Sequence, residues 1–359
     1  MKRILILANF DVGLYKFRKE LIQELLNQGN EVYISLPDGE LVHNLEEMGC
    51  KFVNTAVDRR GMNPKTDVKL MFFYKKLLKK LQPDLVITYT IKPNIYGGLM
   101  CRMFHVPYAV NITGLGTAFQ SENIIKKLVI FLYKIALKKA KVVFFENVGN
   151  KQTFLALNIL KEKQMCVLNG AGVNLMEYPF CEYPSEGETR FLFIGRVMKE
   201  KGVEELFEAA EKIKSEYSGA FFDIVGPMED DYKERIDELV EKRIIEYHGY
   251  QKDVKPFIEK CHCFVLPSYH EGMANTLLEA GVMGRPLITS RIHGCMEAVK
   301  EGESGLLCEK GSGSSLYEAI KNFLNLSYIQ QKTMGENGHK WVMKMFDKKR
   351  VIEETIHYL

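Results

Sequence analysis

The chain has 359 residues, 46% of them hydrophobic, and this length predicts two domains of roughly 150 residues or more. No apolar run approaches the roughly 20 residues of a membrane-spanning helix. The apolar start is short and meets Asn9 and Asp11, so it is interpreted as a buried strand and not as a signal peptide. Residues 1–170 carry 25 Lys and Arg against 14 Asp and Glu, and residues 171–359 carry 24 against 32, which suggests two domains with different partners.

The chain alternates strand-like and helix-like segments in two consecutive series. The first series contains the strands RILILAN, EVYISLP, KFVNTAV, DLVITYT, YAVNIT and VVFFEN. QMCVLNGAGVN and a polar stretch follow, and the second series contains FLFIGRV, AFFDIVG, IIEYHGY, CFVLPS, PLITS and GLLCEK. Such alternation is typical of parallel sheets covered on both faces, so we predict two doubly wound Rossmann-like α/β domains.

The domain boundary is predicted near residue 168. The first domain is placed at residues 1–168 and the second at residues 169–341. A last helix, from about Asn337 to Leu359, could pack on either domain, with residues from about 342 to 359 able to pack back on the first.

The eight cysteines have no zinc-knuckle spacing, because "CHC" at 261–263 lacks the two-residue gap. They are interpreted as reduced, packed thiols of a cytosolic protein.

Candidate ligand-binding loops follow the strands, because open parallel sheets bind ligands beyond the carboxyl ends of their strands. These loops comprise residues 9–13, 90–94, 113–116, 195–201, 226, 250–253 and 268–273. If the two domains face each other, all of these loops border one interdomain cleft.

The stretch "EGMANT" follows a strand and opens a helix. The backbone N–H groups of Gly272, Met273 and Ala274 are therefore expected to be unpaired donors at a positive helix end, which suits phosphate. Glu271 and Glu279 are separated by eight helical residues, or about 12 Å, a distance on the scale of that between sugar and ribose in a nucleotide diphosphate sugar. Glu271 would accept hydroxyls of the sugar and Glu279 those of the ribose. The alternative is that Glu271 caps the helix and Glu279 is a solvated surface charge.

Arg196 and Lys201 in "GRVMKEKG" follow another strand, and their positive side chains could bind the negatively charged diphosphate. An Asp–x–Asp motif, the usual diphosphate–metal motif, is absent from the sequence. The acidic run "EDDY" at 229–232 is interpreted as a solvated helix start. We therefore expect no metal and no other cofactor, with the diphosphate charge met by Arg196, Lys201 and the helix end.

These residues resemble family 4 retaining glycosyltransferases of GT-B fold over nearly the whole chain. "EGMANTLLE" matches the family's E-x7-E signature, "GRVMKEKGVEELFEA" its Arg and Lys motif, and "GAGVNLMEYPF" its interdomain segment; "ESGLLCE" and "GRPLITS" also fit. Within the family the chain is similar to bacterial enzymes that extend undecaprenyl-diphosphate-linked saccharides, including N-acetylgalactosaminyltransferases acting on lipid-linked bacillosamine. "LYKFR", "IKPNIYG" and "TGLGTAF" support that subgroup.

The resemblance implies roles for individual residues. Arg196 and Lys201 bind the diphosphate, Glu271 the donor sugar and Glu279 the ribose, and Glu271, Arg196 and Lys201 are the catalytic set. Further donor-side residues are Gly13, Gly226, Tyr250, Val254, Gly272, Met273, Ala274 and Asn275. Acceptor-side candidates are Arg60, Lys92, Asn94, Thr113 and Gly114. Many family members carry a histidine after the fifth strand, whereas this chain has Asn111 and Thr113 there.

The resemblance also implies an activity and a location. A hexose or N-acetylhexosamine is expected to move from a nucleotide diphosphate sugar, UDP-linked by family likeness, to a lipid-linked saccharide in capsule, O-antigen or glycan biosynthesis. Front-face substitution would retain the anomeric configuration. Lysine-rich helices in "SENIIKKLVIFLYKIALKKAKVV" and "DVKLMFFYKKLLKKL" predict docking on an anionic membrane surface at its cytoplasmic face, and no nucleic-acid partner is expected. The alternative for these helices is an ordinary sheet-covering role with solvated lysines.

Two other enzyme classes fit a doubly wound chain. A sugar-nucleotide epimerase or hydrolase would share the two-domain fold and act without an acceptor. A dinucleotide-dependent oxidoreductase is disfavoured, because "GLGTAF" at 114–119 lacks the third glycine of G-x-G-x-x-G and the first strand-turn has no such fingerprint. A lectin-like role is disfavoured because the whole diphosphate-binding set is present.

Overall fold

A computed structural model describes residues 1–56, 63–116, 119 and 124–359. The chain divides into two compact units. The first contains residues 1–171 and 350–359, and the second contains residues 172–349. In the described parts of the chain, we find no helix that is both long and apolar enough to span a bilayer.

The first unit is built on a seven-stranded parallel sheet with the order β3-β2-β1-β4-β5-β6-β7. Its strands are β1 (Arg3–Leu7), β2 (Glu31–Leu36), β3 (Lys51–Asn54), β4 (Leu85–Tyr89), β5 (Tyr108–Ile112), β6 (Val142–Phe145) and β7 (Met165–Val167). All residues of β4, β5 and β6 are buried. Continuous burial is the reason why these strands are apolar without alternation in the sequence.

Helices cover both faces of this sheet. They are α1 (Asp11–Asn27), α2 (Val42–Glu47), α3 (Pro64–Leu81), α4 (Gly98–Phe104), α5 (Ile124–Ala136) and α6 (Val148–Ala156), with a π-helical turn at Pro93–Gly97 before α4. Residues of α3, α4, α5 and α6 join one core cluster and residues of α1 and α2 join another. The helix α3 starts where Asn63 accepts a hydrogen bond from the Lys65 N–H and Pro64 takes the first helical position, both favoured start signals.

The second unit holds a six-stranded parallel sheet with the order β10-β9-β8-β11-β12-β13. Its strands are β8 (Thr189–Ile194), β9 (Ala220–Val225), β10 (Ile245–Tyr247), β11 (Cys263–Leu266), β12 (Leu287–Ser290) and β13 (Gly305–Cys308). Its helices are α7 (Val203–Glu216), α8 (Lys233–Glu241), α9 (Lys255–Lys260), α10 (Asn275–Val282), α11 (Gly313–Leu324) and α12 (Tyr328–Phe346). The two predicted doubly wound sheets are therefore confirmed. All eight cysteines are free thiols, and seven are buried.

The C-terminal part contains two helices where the sequence predicts one from about Asn337. The helix α12 ends at Phe346, and α13 (Lys348–Tyr358) begins after a single intervening residue. Val173 interrupts the helical hydrogen bonds here, because its N–H donates to the Phe346 carbonyl at 2.8 Å and its carbonyl accepts from the Lys348 N–H at 3.1 Å. From Arg350 onward α13 belongs to the first unit, where Ile352 and Ile356 pack against the core cluster that contains α1 and α2.

The exposed surface of α3, α4 and α5 is apolar as well as basic. On α5, Ile124, Leu128 and Phe131 are 84%, 53% and 57% exposed. In the described part of α5 only Tyr133 and Ala136, near the end of the helix, are buried. We call the exposed set Val68, Phe72, Met103, Ile124, Leu128 and Phe131, with the intervening lysines Lys69, Lys76, Lys127 and Lys134, the apolar–basic face.

Candidate active site

An ion pair in the second unit joins the loop after β8 to the loop after β11. Lys201 ends a 3-10 turn before α7, and its Nζ donates to the carboxylate of Glu271. The two side chains are only 19% and 12% exposed. The structure thus brings together two residues that are 70 positions apart and that the sequence assigned to one site.

Glycine lets these two loops meet. Gly202 has a φ of 71°, and a Cβ added there would lie 2.1 Å from the Pro267 carbonyl oxygen. The loops also share a backbone hydrogen bond from the Tyr269 N–H to the Glu200 carbonyl at 2.9 Å. Only glycine permits such an approach. Gly202 therefore positions Lys201 toward Glu271, a role that the sequence motif alone did not indicate.

Arg196 lies on the same loop and has a carboxylate partner. Its Nη1 is 2.7 Å from Glu229 Oε2, with side chains 37% and 24% exposed. Asp230 Oδ2 accepts from the Lys199 N–H at 2.9 Å. The interpretation of "EDDY" as a solvated helix start agrees with the structure, because Glu229, Asp230 and Asp231 are exposed and α8 begins at Lys233 directly after the run. The run also contacts the basic loop. The run lies against this loop because Val197 and Met228 form a β-bridge.

Three of the further donor-side residues, Gly226, Tyr250 and Val254, follow β9 and β10. Gly226 has a φ of 143°, and a Cβ there would lie 1.9 Å from the Gly195 carbonyl oxygen, so this glycine permits the loops after β8 and β9 to touch. Its own carbonyl accepts from the Tyr247 hydroxyl at 3.0 Å. Tyr250 is 63% exposed, and Val254 caps the start of α9.

The structure corrects part of the prediction that the backbone N–H groups at the start of α10 are unpaired. The Ala274 N–H donates to the Gly294 carbonyl at 2.8 Å, so it is not available to a phosphate. A Cβ on Gly294 would lie 2.6 Å from the Gly272 carbonyl oxygen, which shows how closely the loop after β12 packs against the helix start. Met273 is buried, and Asn275 is the first residue of the helix.

Buried polar atoms at this edge of the sheet lack protein partners. Among the described residues, the Ser268 and Ser290 hydroxyls and Asn275 Oδ1 are buried without a hydrogen-bond partner. They lie at the carboxyl ends of β11 and β12 and at the first turn of α10. Buried polar groups are almost always hydrogen-bonded, so such a group calls for an explanation, and a ligand would supply one. The sequence placed Ser268 in a candidate loop but gave it no role.

Two titratable neighbours of the ion pair are held uncharged. Burial raises the pKa of the Cys295 thiol well above its usual value, and the charge of Glu271 acts in the same direction. Burial and the charge of Lys310 lower the pKa of His270 below its usual value, although Glu200 and Glu271 oppose this shift.

Glu279 lies on the second turn of α10 and is partly buried. Burial, and next the charge of Glu279, raises the pKa of Tyr178 well above its usual value. The solvated-surface alternative for Glu279 therefore does not describe its position.

Two of the five acceptor-side candidates, Lys92 and Asn94, have side-chain partners within the first unit. Lys92 Nζ is 2.7 Å from Asp67 Oδ1, and their side chains are 14% and 15% exposed. Asn94 is 1% exposed and bridges Thr88 to the Asn111 carbonyl, so it fixes the π-helical turn and presents no amide to a ligand. Its assignment as a contact residue is corrected accordingly.

The remaining candidate residues of the first unit are Thr113, Gly114, Gly13 and Arg60. Thr113 and Gly114 follow β5 and are half-buried. Gly13 lies inside α1, not in the loop that was predicted, and a Cβ there would lie 3.2 Å from the Phe10 ring. Arg60 is outside the described residues.

A strained position and a buried ion pair at the same sheet edge were not singled out from the sequence. Thr90 has a φ of 71°, unusual for a β-branched residue, and its hydroxyl is buried without a partner among the described residues. Next to it, the Tyr89 ring lies 5.2 Å from the Arg18 guanidinium, which pairs with Glu146. Applying the strand-end rule to "VVFFEN" would have found Glu146.

One set of possible metal ligands occurs among the described residues, namely Asp223, Glu246 and His248. Arg190 already occupies it, with Nη1 at 3.2 and 3.0 Å from the two carboxylate oxygens of Asp223 and Nη2 3.5 Å from Glu246. A guanidinium in this position satisfies the carboxylates in place of a metal ion.

Comparisons with known proteins agree on one class. Residues 179–341 match the model of "Glycosyl transferases group 1", and residues 3–147 match "Glycosyl transferase 4-like". The chain is 29% identical over 339 residues to the N,N'-diacetylbacillosaminyl-diphospho-undecaprenol alpha-1,3-N-acetylgalactosaminyltransferase of Campylobacter jejuni, covering 90% of this chain and 89% of that protein. It is 24% identical to the capsular polysaccharide biosynthesis glycosyltransferase CapM of Staphylococcus aureus, covering 93% and 90%.

A solved structure shares the fold. Anabaena HepE in complex with UDP and glucose superposes with a TM-score of 0.81 at 16% identity, and the match covers 100% of each chain.

The Lys201–Glu271 pair should be energetically coupled. We expect a double-mutant cycle with Lys201→Met and Glu271→Gln to give a coupling energy of about 1–3 kcal/mol, because removing either partner leaves a poorly solvated charge. Urea denaturation of the four proteins measures it. The control cycle uses Lys233→Met and Asp237→Asn, an exposed pair on α8, where no measurable coupling is expected. Equal coupling in both cycles would contradict this picture.

Proposed function

The chain belongs to the glycosyltransferases of GT-B fold, with a group 1 domain and a 4-like domain, and from this premise we propose that it transfers a sugar from a nucleotide diphosphate sugar to a lipid-linked saccharide. The predicted fold class and enzyme class are thereby confirmed. We reject the alternatives, an epimerase or hydrolase and an oxidoreductase, because both domain models that match the chain describe glycosyl transferases.

The donor is proposed to bind the second unit. The single observation that carries this is the Lys201–Glu271 pair, in which a cation and a carboxylate are fixed together beside the start of α10. Lys201 and Arg196 would exchange their carboxylate partners for the diphosphate, which accepts stronger charge-assisted hydrogen bonds. Glu271 would then accept sugar hydroxyls, and Glu279 would accept those of the ribose. Uridine is the proposed base, with Gly226, Tyr250 and Val254 beside it.

The proposed reaction retains the anomeric configuration. The acceptor hydroxyl attacks the anomeric carbon on the face from which the diphosphate departs, and a departing phosphate oxygen takes the hydroxyl proton. Negative charge grows on the diphosphate, where Lys201, Arg196 and the helix end would stabilise it in a preorganised site. The sugar is proposed to be a hexose or an N-acetylhexosamine.

The acceptor is proposed to be a saccharide linked to undecaprenyl diphosphate. Support comes from the Campylobacter jejuni relative, whose name specifies such an acceptor, and from the 89% of that protein that the match covers. In the first unit, Lys92, Thr113 and Gly114 remain candidate contacts at the carboxyl edge of the sheet.

Loss of either member of the ion pair should abolish transfer. We expect Glu271→Ala and Lys201→Ala each to reduce the transfer rate about 30- to 1000-fold, because a charge-assisted contact in a closed site contributes about 2–4 kcal/mol. Transfer of radiolabelled sugar from UDP-sugars to lipid-linked acceptor measures this rate. Asp237→Ala and Lys233→Ala serve as matched controls and should retain full activity. Near-normal turnover of both site variants would remove the donor-site assignment.

We propose that transfer needs no metal ion, because the side chains of Arg196 and Lys201 would neutralise the diphosphate in place of a divalent cation. We expect transfer to survive an excess of EDTA with an unchanged rate, since Arg196 and Lys201 provide fixed positive charge. The same radiolabel assay, run with EDTA and then with added magnesium or manganese, tests it. Activity that disappears in chelator and returns with the metal would overturn the proposal.

The apolar–basic face is proposed to dock on an anionic membrane on the cytoplasmic side, where a lipid-linked acceptor is reached. Its apolar side chains on α3, α4 and α5 are 49–84% exposed, and lysines lie between them. Exposed apolar residues with interspersed lysines are typical of surfaces that insert into the headgroup region and attract anionic lipid. Exposed lysines alone would be typical of any solvated helix. The exposed apolar side chains between them are therefore the observation that supports membrane docking.

Vesicle flotation should show binding that needs anionic lipid. Each basic residue near the surface contributes about 1 kcal/mol and loses it with salt, so binding should weaken as salt rises. Replacing Lys69, Lys76, Lys127 and Lys134 of the apolar–basic face with Gln should reduce it strongly, and Leu128→Ser with Phe131→Ser should reduce it at every salt concentration. Lys→Gln at positions 233 and 242 of the second unit is the charge control. Equal recovery with neutral and anionic vesicles would contradict membrane docking.

A further inference from the structure

We propose that Lys92 binds the diphosphate of the lipid-linked acceptor, and that Asp67 holds the lysine ammonium in place until this ligand binds. The inference rests on the proposed function, because it takes the acceptor to be a saccharide on a prenyl diphosphate. It specifies which part of that acceptor the first unit recognises and which side chains recognise it.

The Asp67 carboxylate connects the first turn of α3 to two residues that follow β4. Its Oδ1 accepts from Lys92 Nζ at 2.7 Å, and its Oδ2 accepts from the Tyr96 hydroxyl at 2.8 Å. The side chains of Lys92 and Asp67 are only 14% and 15% exposed. An ammonium has three donors, and within the described part of the chain Lys92 uses one of them, on Asp67. The lysine is thus held in a poorly solvated position and keeps donors for an anion.

The backbone that carries Lys92 is fixed to the sheet. Lys92 directly precedes the π-helical turn Pro93–Gly97, and single turns of this kind occur mostly at functional sites. Asn94 ties the turn to two strands, because its side chain accepts from the Thr88 hydroxyl at 2.7 Å and donates to the Asn111 carbonyl at 2.8 Å. The position of Lys92 therefore does not depend on Asp67 alone.

Thr90, two residues before Lys92, gives a second and independent sign of a ligand. Its hydroxyl is buried without a partner among the described residues, and its φ is 71°. A β-branched residue takes this conformation only where the surrounding structure enforces it. A polar ligand at this loop would give the hydroxyl the partner that buried polar groups normally have.

The apolar–basic face reaches the same edge of the sheet. The helices α3 and α5 follow strands of a parallel sheet, so both begin at its carboxyl edge, where Lys92 also lies. Near these helix starts, Val68 is 49% and Ile124 is 84% exposed. A prenyl diphosphate carries its charge directly beside an apolar chain. With that chain in the membrane next to Val68 and Ile124, its diphosphate would lie near Lys92.

The two members of the ion pair should act on diphosphate binding in opposite directions. Lys92 would supply charge-assisted hydrogen bonds, whereas the Asp67 carboxylate competes for the same ammonium and repels the ligand. Removing either partner leaves the other charge poorly solvated and destabilises the fold. Lys92→Met should therefore weaken diphosphate binding and Asp67→Asn should strengthen it, although both lower the melting temperature.

Titration calorimetry of farnesyl diphosphate and farnesyl monophosphate on UDP-saturated protein tests the inference. Saturation with UDP keeps both probes off the proposed donor site. The unaltered protein should prefer the diphosphate about 10-fold, the lower end of the range for hydrogen bonds to charged groups. We expect Lys92→Met to reduce this preference roughly threefold or more and Asp67→Asn to increase it by a similar factor. The double variant leaves neither charge buried, so it should fold stably and bind like Lys92→Met.

Lys51→Met and Glu31→Gln are the matched controls. Lys51 Nζ is 2.5 Å from Glu31 Oε1, and these residues begin β3 and β2, at the amino edge of the same sheet. The two substitutions change the net charge by the same amounts as Lys92→Met and Asp67→Asn. Both should leave the preference for the diphosphate unchanged.

Each other outcome contradicts a distinct statement. Equal affinity of the unaltered protein for the two prenyl compounds overturns the inference and leaves the proposed transfer reaction standing. An unchanged preference in Lys92→Met, or a reduced preference in both single variants, shows only a structural ion pair and also overturns it. An unaltered protein that does not bind UDP overturns the proposed donor. The prenyl compounds are then compared in the Lys201→Ala protein, whose proposed donor site is disabled.

Discussion

The close backbone approach of the loops after β8, β9 and β11 is the constraint on which the second unit's site depends. Gly202 against Pro267, and Gly226 against Gly195, leave no room for a Cβ. Because these backbones touch, Lys201 lies at Glu271 and Arg196 at Glu229, each within the reach of a salt bridge. The positions of these charged groups are thus set by the packing of the loop backbones.

The helix α10 is contacted near both of its ends. The loop after β12 packs on its start through Gly294, and just beyond its last residue the Met283 carbonyl accepts from the Cys181 N–H. Both carboxylates of the signature therefore sit on backbone that neighbouring segments hold in place. Such support matters because a site 1 Å too loose loses most of its preorganisation. The buried hydroxyls of Ser268 and Ser290 at the same edge are consistent with a surface shaped for a polar ligand.

The first unit differs from the second in its strained and buried charged residues and in its exposed apolar helix surfaces. Its carboxyl edge combines the strained Thr90 with the buried Arg18–Glu146 pair, whereas its outer helices expose apolar residues and lysines. Strain and buried charge both lower stability unless surrounding structure holds them, so their presence marks an edge with a role beyond folding. The basic excess of this half is explained largely by α3 and α5.

By itself, the sequence determined the two sheets, because buried parallel strands are continuous apolar runs between helices, and it placed Glu271, Glu279, Arg196 and Lys201 on loops and a helix after strands. It also identified the family through the spacing of those residues. Tertiary structure alone decided which charges meet, that Glu229 pairs with Arg196, and that the Ala274 N–H donates to the Gly294 carbonyl. It also placed Leu128 in solvent and divided the last helix at Asp347. These contacts join residues far apart in the chain, and their geometry depends on how loops pack, which local periodicity does not encode.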